Sequence, residues 1–486
     1  MKEELSQMQY QSASIPRARP IWTLALTAVA FFMVALDALV VVTALPAIQR
    51  DLHASLSMLE WTVNAFTLAF AAGIITAAAL GDRVGRRRIF TSGLILFTAA
   101  SAACALAATP SLLIAARAIQ GVGAAMVMPL SLTILVSAFP PERRGAVVGV
   151  WGGIGGLAVA SGPLAGGAIT QGLDWHWIFW VNVPIGIVAA VLARLQLVES
   201  RGPATRLDLP AAALVSGGVI AIVWGLIQTG DVGWGSAQVV ASLILGFALI
   251  AGFLVWEGRV NEPMLPLRLF ASRGFAAANA TGFLMAGAIF SAAFLISQYF
   301  QFALGYSPLA TGLRLLPWTV TPLIISPLAG VISDRIGRRR VLVLGMLLQG
   351  IGLGWIAAIA VAGAGYGQFV VPLIIAGIGI SMAIPTTSTA VLSAVAPSDM
   401  GKASGVNSTL QRFGAAFAIA VAAAVFTANG HLGTPASFTS GFRAALAVVA
   451  GLSILGAVTA LGVAGRRRVP QPAAQPDLVE PMAAAS

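Results

Sequence analysis

Long apolar stretches, each ended by Gly, Pro or a charged cluster, recur from one end of the chain to the other. Apolar runs of about 18 residues or more are long enough to cross the hydrocarbon of a bilayer as helices. The pattern predicts fourteen of them, over 22–45, 60–80, 89–108, 111–138, 146–169, 177–197, 210–228, 238–256, 274–299, 311–332, 341–362, 368–393, 403–427 and 442–464. Composition agrees: 58% of the 486 residues are hydrophobic and only 9% are charged, against about 25% charged in a soluble globular chain. No water-soluble surface can be built from that, so the bilayer is the solvent. The first run is too long for the core of a cleavable signal peptide and reads as a permanent span.

The net charge of +11 raises the question of a nucleic-acid partner. The basic residues, however, are scattered in short clusters between apolar runs instead of being gathered on one polar domain, and they read as topology signals. An even number of spans puts both termini on one side. Of the 28 Lys and Arg, the opposite side has only Arg50 and Arg443, and Arg117, Arg314 and Arg412 lie deeper within spans. All the others sit in the terminal segments or on the termini's side, which the positive-inside rule makes cytoplasmic. The single cysteine, Cys104, lies in an apolar run; no intrachain disulfide is possible and it reads as a packing residue.

The chain also repeats itself. GDRVGRRR at 81–88 returns as SDRIGRRR at 333–340, pairing Asp82 with Asp334, and SAFPPERRGAVVGV at 137–150 returns as SAVAPSDMGKASGV at 393–406. Helices one to six therefore correspond to helices nine to fourteen. The expected organisation is a cytoplasmic segment 1–21, a six-helix bundle 22–197, a linker 198–273 carrying an inserted hairpin of helices seven and eight, a second six-helix bundle 274–464 and a disordered cytoplasmic tail 465–486. Parallel repeats of this kind are a transporter architecture, because two similar bundles can rock about a site at their interface.

Four motifs give the repeat a family resemblance. LDALVVVTALP at 36–46 carries Asp37, Val40, Val41, Ala44, Leu45 and Pro46, with Leu39 and Val42 where Thr and Asn are usual. The loop at 82–88 carries Asp82, Arg83, Gly85, Arg86 and Arg87, with Ala78 in place of a leading glycine that the second copy keeps as Gly330. RAIQGVGAA in helix four supplies Arg117, Gln120, Gly121 and Gly123; helix five supplies Gly149, Gly162, Pro163, Gly166 and Gly167, with Ala158 replacing a glycine. Together with WHWIFWVNVPIG at 175–186, these resemble the fourteen-helix drug:proton antiporters of the major facilitator superfamily. The resemblance implies an all-α membrane fold of two pseudo-symmetric six-helix bundles in a bacterial plasma membrane. It also implies a monomer that exports lipophilic drugs, antibiotics or related metabolites, with protons and the bilayer as its other partners and no cofactor beyond the proton gradient.

Asp37 is the only acidic residue placed deep in the bilayer, roughly 12 Å from the outer end of helix one at the helical rise, and Arg117 lies roughly 9 Å from the outer end of helix four. Intramembrane charges are costly and usually functional. A carboxyl exposed by turns to burial and to a nearby cation can load and release a proton near neutral pH, so the pair is a candidate for proton coupling; the alternative is a permanent ion pair that fixes helix packing. Asp82, Arg83, Gly85 and Arg86, with Asp334 and Arg335 in the second copy, are candidate gating residues where helix ends meet short loops; plain topology anchoring accounts for part of the arginine run. The helix-five residues Gly149, Gly162, Pro163, Gly166 and Gly167 remove side chains from the helix surface and read as a tight, kinked seam between the halves. Candidate cavity residues are Asn64, Phe66, Gln120, Trp151, Gln298, Gln301, Trp318, Asn407, Gln411 and Arg412. Arg412 lacks an acidic partner in the second half; it is either solvated by the cavity or meets an anionic substrate group.

Other chemistry finds little support. A phosphate-cradling loop needs Gly-Lys-Ser or Gly-Lys-Thr, and the only lysines are Lys2 and Lys402, the latter followed by Ala403. His53, His176 and His431 are isolated, without a second ligand at metal spacing, and no Ser, His and acid set points to an embedded enzyme. Two rivals stay open: a proton symporter working as an importer on the same fold, and a lipid-handling membrane protein without proton coupling.

Overall fold

A computed structural model describes residues 20–202, 208–260, 263, 267–396 and 399–464. The expected tail at 465–486, most of the N-terminal segment and parts of the linker lie outside the described residues. Backbone groups in hydrocarbon have no water to bond, so each crossing segment must satisfy them internally as a helix. The first six helices are α1 (Pro20–Leu52), α2 (Leu56–Val84), α3 (Arg86–Ala105), α4 (Pro110–Ser137), α5 (Pro141–Gly172) and α6 (Trp177–Gln196), the last interrupted at Val181. Then come α7 (Leu209–Val232), α8 (Ala237–Glu257) and a short 3-10 turn (Leu267–Ala271). The rest are α9 (Arg273–Phe302), α10 (Pro308–Thr319), α11 (Thr321–Ile336), α12 (Arg338–Ile359), α13 (Gly367–Ser393), α14 (Met400–Asn429) and α15 (Pro435–Ala460).

A helix or a broken pair of helices stands at each of the fourteen expected positions. Among the described residues, twelve are long and apolar enough to cross a membrane, and thirteen if α2, bent by 47° between Ile74 and Thr76, counts as one span. α5 is not among them. The expected span at 311–332 is divided into α10 and α11 at Val320, where Pro317 and Pro322 remove backbone donors. The last helix starts seven residues before its expected position. Thr434 caps it and Pro435 takes its first position, while Arg443, expected at the outer end of the span, lies two turns inside the helix and donates to the Ala357 carbonyl at 3.2 Å. Several other helices begin the same way, with Ser55, Thr109, Asp208, Ser236, Ser272 and Ser307 accepting a backbone N–H two or three residues into the helix.

The repeat is visible at two tight corners. Gly85 (φ 133°) joins α2 to α3 and Gly337 (φ 94°) joins α11 to α12, each as a single residue between two helices. Only glycine adopts these dihedrals without strain.

The buried apolar residues divide unequally along the helix axes. At the end remote from Arg86 and Arg338, one continuous cluster joins Val41, Leu45, Leu59 and Phe179 of the first six helices to Ile296, Phe300, Leu315 and Phe426 of the later ones. Towards the arginine-rich end there are two clusters: one around Met33, Phe66, Phe90 and Phe97, the other around Phe275, Met285, Leu342 and Met346. Hydrogen bonds between the two sets of helices gather at the joined end, where Gln301 donates to the Thr43 carbonyl at 2.9 Å and the Leu309 N–H donates to Gln171 at 3.2 Å. α7 packs through Ile222, Val223 and Leu226 against Leu68 and Ala71 of α2 and Phe413 and Ala416 of α14.

Gly85→Ala should lower stability by about 1–3 kcal/mol, the usual cost of forcing a side chain into such a conformation. Gly451→Ala, on an open face of α15, should be neutral. Thermal unfolding of the detergent-purified chain checks both, and equal melting temperatures would remove the corner from the account.

Candidate functional site

Asp37 and Arg117 meet. The carboxylate, 2% exposed on α1, accepts a hydrogen bond from the Arg117 guanidinium of α4 at 2.5 Å, and Arg117 is itself 1% exposed. Similar depth in neighbouring helices is what brings them together. The other carboxylate oxygen accepts from the side-chain amides of Gln120 at 2.9 Å and Asn182 at 3.0 Å. Gln120 also accepts from Arg117 at 2.6 Å and donates to Ser101 at 2.8 Å, while the Arg117 Nε donates to the Thr62 carbonyl of α2 at 3.2 Å. The Phe66 ring lies 4.2 Å below the guanidinium carbon. Five helices, α1, α2, α3, α4 and α6, thus converge on one charge pair.

Three donors fill the acceptor capacity of the carboxylate, and each lost donor leaves a partner unsatisfied in a dry site. Asp37 also marks a boundary along α1. Val34 belongs to the cluster of the arginine-rich end and Val40 to the cluster shared by both halves. The pair therefore lies where the joined core gives way to the divided one.

The other expected site residues are placed as follows. Asp82 pairs with Arg86 of its own loop at 2.8 Å, and its backbone carbonyl accepts from Gly202; Arg83 and Arg335 are exposed. Glu199, in the loop after α6, accepts from the Arg87 backbone N–H at 3.0 Å and lies 3.7 Å from the Arg87 and Arg88 side chains. The loop thus binds the end of its own bundle. Asp334 and Gly149 fall outside the residues whose surroundings are described. Gly162 and Gly166 lie against Leu39 and Val40 of α1, within one bundle. Gly167 and Pro163 form the seam to the later helices, backing onto Pro308 and Gly312 of α10.

The candidate cavity residues are dispersed. Gln120 and Phe66 belong to the shell of the charge pair and have no free face to offer a cavity. Gln301 bridges the halves at the joined end, Trp318 is buried in the shared core, and Trp151 stacks on Phe31 with ring centroids 3.9 Å apart. Asn64 and Gln298 are buried with neither amide atom bonded. Asn407 and Gln411 face Gly282 of α9. Arg412 projects over Phe70 of α2 at 4.5 Å and towards Phe290 of α9 at 5.8 Å.

Three residues escaped the sequence reading. Asn182 sits inside the quoted 175–186 motif, but an asparagine beside a tryptophan at a helix end looks like an interfacial residue. Ser101 carries no sequence signal. Glu60, the first residue of an expected span, is 2% exposed with one oxygen unbonded; a charge at a span end looks solvated.

The family model for the Major Facilitator Superfamily matches residues 27–306 and 278–484. The chain belongs to the major facilitator superfamily. Within it, the chain is 34% identical over 421 residues to the tetracenomycin C resistance and export protein of Streptomyces glaucescens, covering 86% of this chain and 78% of that one. It is also 34% identical over 482 residues to the puromycin resistance protein of Streptomyces alboniger, covering 94% of each. Among solved structures, a peptide transporter in complex with sulfate superposes with a TM-score of 0.67 at 18% identity, over 94% of this chain and 97% of that one, a likeness of fold alone.

In this facilitator, Arg117→Met should cost about 3–5 kcal/mol by stranding a buried carboxylate, and adding Asp37→Asn should recover a large part of it. Asn182→Ala should cost about 1–3 kcal/mol. Unfolding of the purified variants checks both; a double variant no more stable than Arg117→Met would mean that the pair is not coupled.

Proposed function

We propose that the chain is a proton-coupled antiporter that exports lipophilic drugs, antibiotics or related metabolites by alternating access. The observation that carries this reading is the Asp37–Arg117 pair at the junction between the joined and the divided core. While Asp37 is ionised, Arg117 holds α1 to α4. A proton on the carboxylate removes the charge on which Arg117, Gln120 and Asn182 converge, so helix packing and proton occupancy become one equilibrium. Relatives named for antibiotic resistance and export support the direction.

The reading extends to the architecture. α5 supplies the remaining span, giving fourteen, with the α7–α8 hairpin inserted between two six-helix bundles and both termini in the cytoplasm. The arginine-rich end is then cytoplasmic, and the conformer is closed outside and divided inside. Asp82, Arg86 and Glu199 latch the cytoplasmic end of the first bundle, and the seam at Gly167 and Gly312 keeps the outer end shut. One charge crossing 100 mV releases about 2.3 kcal/mol, enough to hold more than a tenfold gradient of a neutral substrate at about 1.4 kcal/mol per tenfold.

Substrate-evoked proton movement in inside-out vesicles tests this. Antiport predicts alkalinisation of an acidified lumen, symport the opposite sign, and an uncoupled lipid-handling protein none. Asp37→Asn should abolish the signal; a variant that transports with an unchanged pH profile would remove Asp37 from the mechanism.

A further inference from the structure

Four arginines lie within the helices away from their ends, and they are compensated differently; Arg443 of α15 donates to the Ala357 carbonyl of α12 at 3.2 Å. Arg117 is neutralised by Asp37. Arg314, near the joined end, donates to the Ala310 carbonyl at 3.1 Å and lies over the Tyr306 and Tyr366 rings at 3.9 and 5.2 Å. Arg412, in mid-α14, has no hydrogen-bond or ion-pair partner among the described residues. Its guanidinium lies over the Phe70 ring at 4.5 Å and towards the Phe290 ring at 5.8 Å. Along α2, the carboxylates nearest to Phe70 are Glu60 and Asp82, ten and twelve residues away, or on the order of 15 Å at the helical rise.

An aromatic face attracts a guanidinium but does not cancel its charge. The site thus keeps a net positive charge in a weakly polarisable surround, which is costly unless an anion arrives. The position suits one. Arg412 stands between α2 and α9, so it is shared by the two sets of helices, and it is partly accessible. The two rings against it belong to both sets: Phe70 comes from α2 and Phe290 from α9. A planar fork of N–H donors flanked by ring faces matches an aromatic molecule bearing a carboxylate, sulfonate or phenolate.

We infer that Arg412 is the specificity-determining residue of the transport site and that the exported class is amphipathic aromatic acids, bound as monoanions by its guanidinium between Phe70 and Phe290. The substrate class rests on the reading of the chain as an exporter; the charge preference does not rest on proton coupling.

The test uses the full chain in inside-out vesicles with three probes: anilinonaphthalene sulfonate, the uncharged phenylnaphthylamine of the same ring skeleton, and ethidium. Gradient-driven uptake and gradient-free counterflow are both measured. The wild-type protein should move the sulfonate in preference to ethidium. Arg412→Gln should reduce sulfonate counterflow about tenfold or more, the worth of one charge-assisted hydrogen bond, and leave the neutral probe within about twofold, with Arg412→Lys recovering part of the loss. Asp37→Asn should stop gradient-driven uptake of every probe while sulfonate counterflow keeps its dependence on Arg412, so a failure of proton coupling is seen separately. An equal loss of all probes in Arg412→Gln would make Arg412 a latch between α2 and α14 and overturn the inference, as would a wild-type protein that prefers ethidium or does not move the sulfonate.

Discussion

Hydrocarbon does not solvate a polar group, and that constraint runs through every level of the fold. It forces each crossing segment into a helix that satisfies its own backbone and draws capping serines, threonines and an aspartate to the helix starts. It also makes an ion pair such as Asp37–Arg117 tolerable only with its remaining hydrogen-bonding capacity filled. The filling is close to complete: two side-chain amides on the carboxylate, and a glutamine and a backbone carbonyl on the guanidinium. Polar side chains from α1, α4 and α6 and a carbonyl from α2 are thereby committed to one point, and the helices that carry them cannot shift independently while the charges persist.

Apolar contact distributes stability in the opposite sense. Lipid tails are as apolar as leucine, so helices associate through close packing in place of the hydrophobic effect. Close packing requires small residues where backbones meet. Gly121 lies against the Phe66 carbonyl, Gly414 against that of Phe283, and Gly167 against Pro308. The first two tie helices within a bundle and the third ties one bundle to the other. The core is shared at one end and separate at the other, apart from the contact of α2 with α7 and α14, and the proposed cycle uses that division by letting the two sets change their mutual tilt.

Helix positions were legible because the bilayer fixes one length and one polarity for every span, and the register of Asp37 with Arg117 was legible because the helical rise converts residue number into depth. What a given side chain faces was much less so. Gln120 is three residues from Arg117 and so on the same helical face, which would have placed it with the pair; its motif position suggested a cavity instead. Gly166 and Gly167 are neighbours in sequence but about 100° apart on a helix, so one meets α1 and the other α10. Asn182 needed the break at Val181 to bring its amide onto Asp37, and no periodicity announces that break. Arg443 resembled an interfacial residue at a span end because the carbonyl that receives it comes from another helix.

The energetics of the pair also order the steps of the proposed cycle. Pulling Arg117 away from an ionised Asp37 in a dry site costs several kcal/mol, whereas one charge crossing 100 mV releases only about 2.3 kcal/mol. The driving force is therefore too small to separate the charges first and protonate afterwards. In the proposed cycle protonation therefore precedes the movement, and the proton reaches Asp37 while Gln120 and Asn182 still hold it. Once the carboxyl is neutral, Arg117 keeps Thr62, Gln120 and the Phe66 face as partners, so its own charge is never left bare. Gln120 and the Thr62 carbonyl thus serve both states of the proposed cycle, since they bond the guanidinium whether or not the carboxyl is charged.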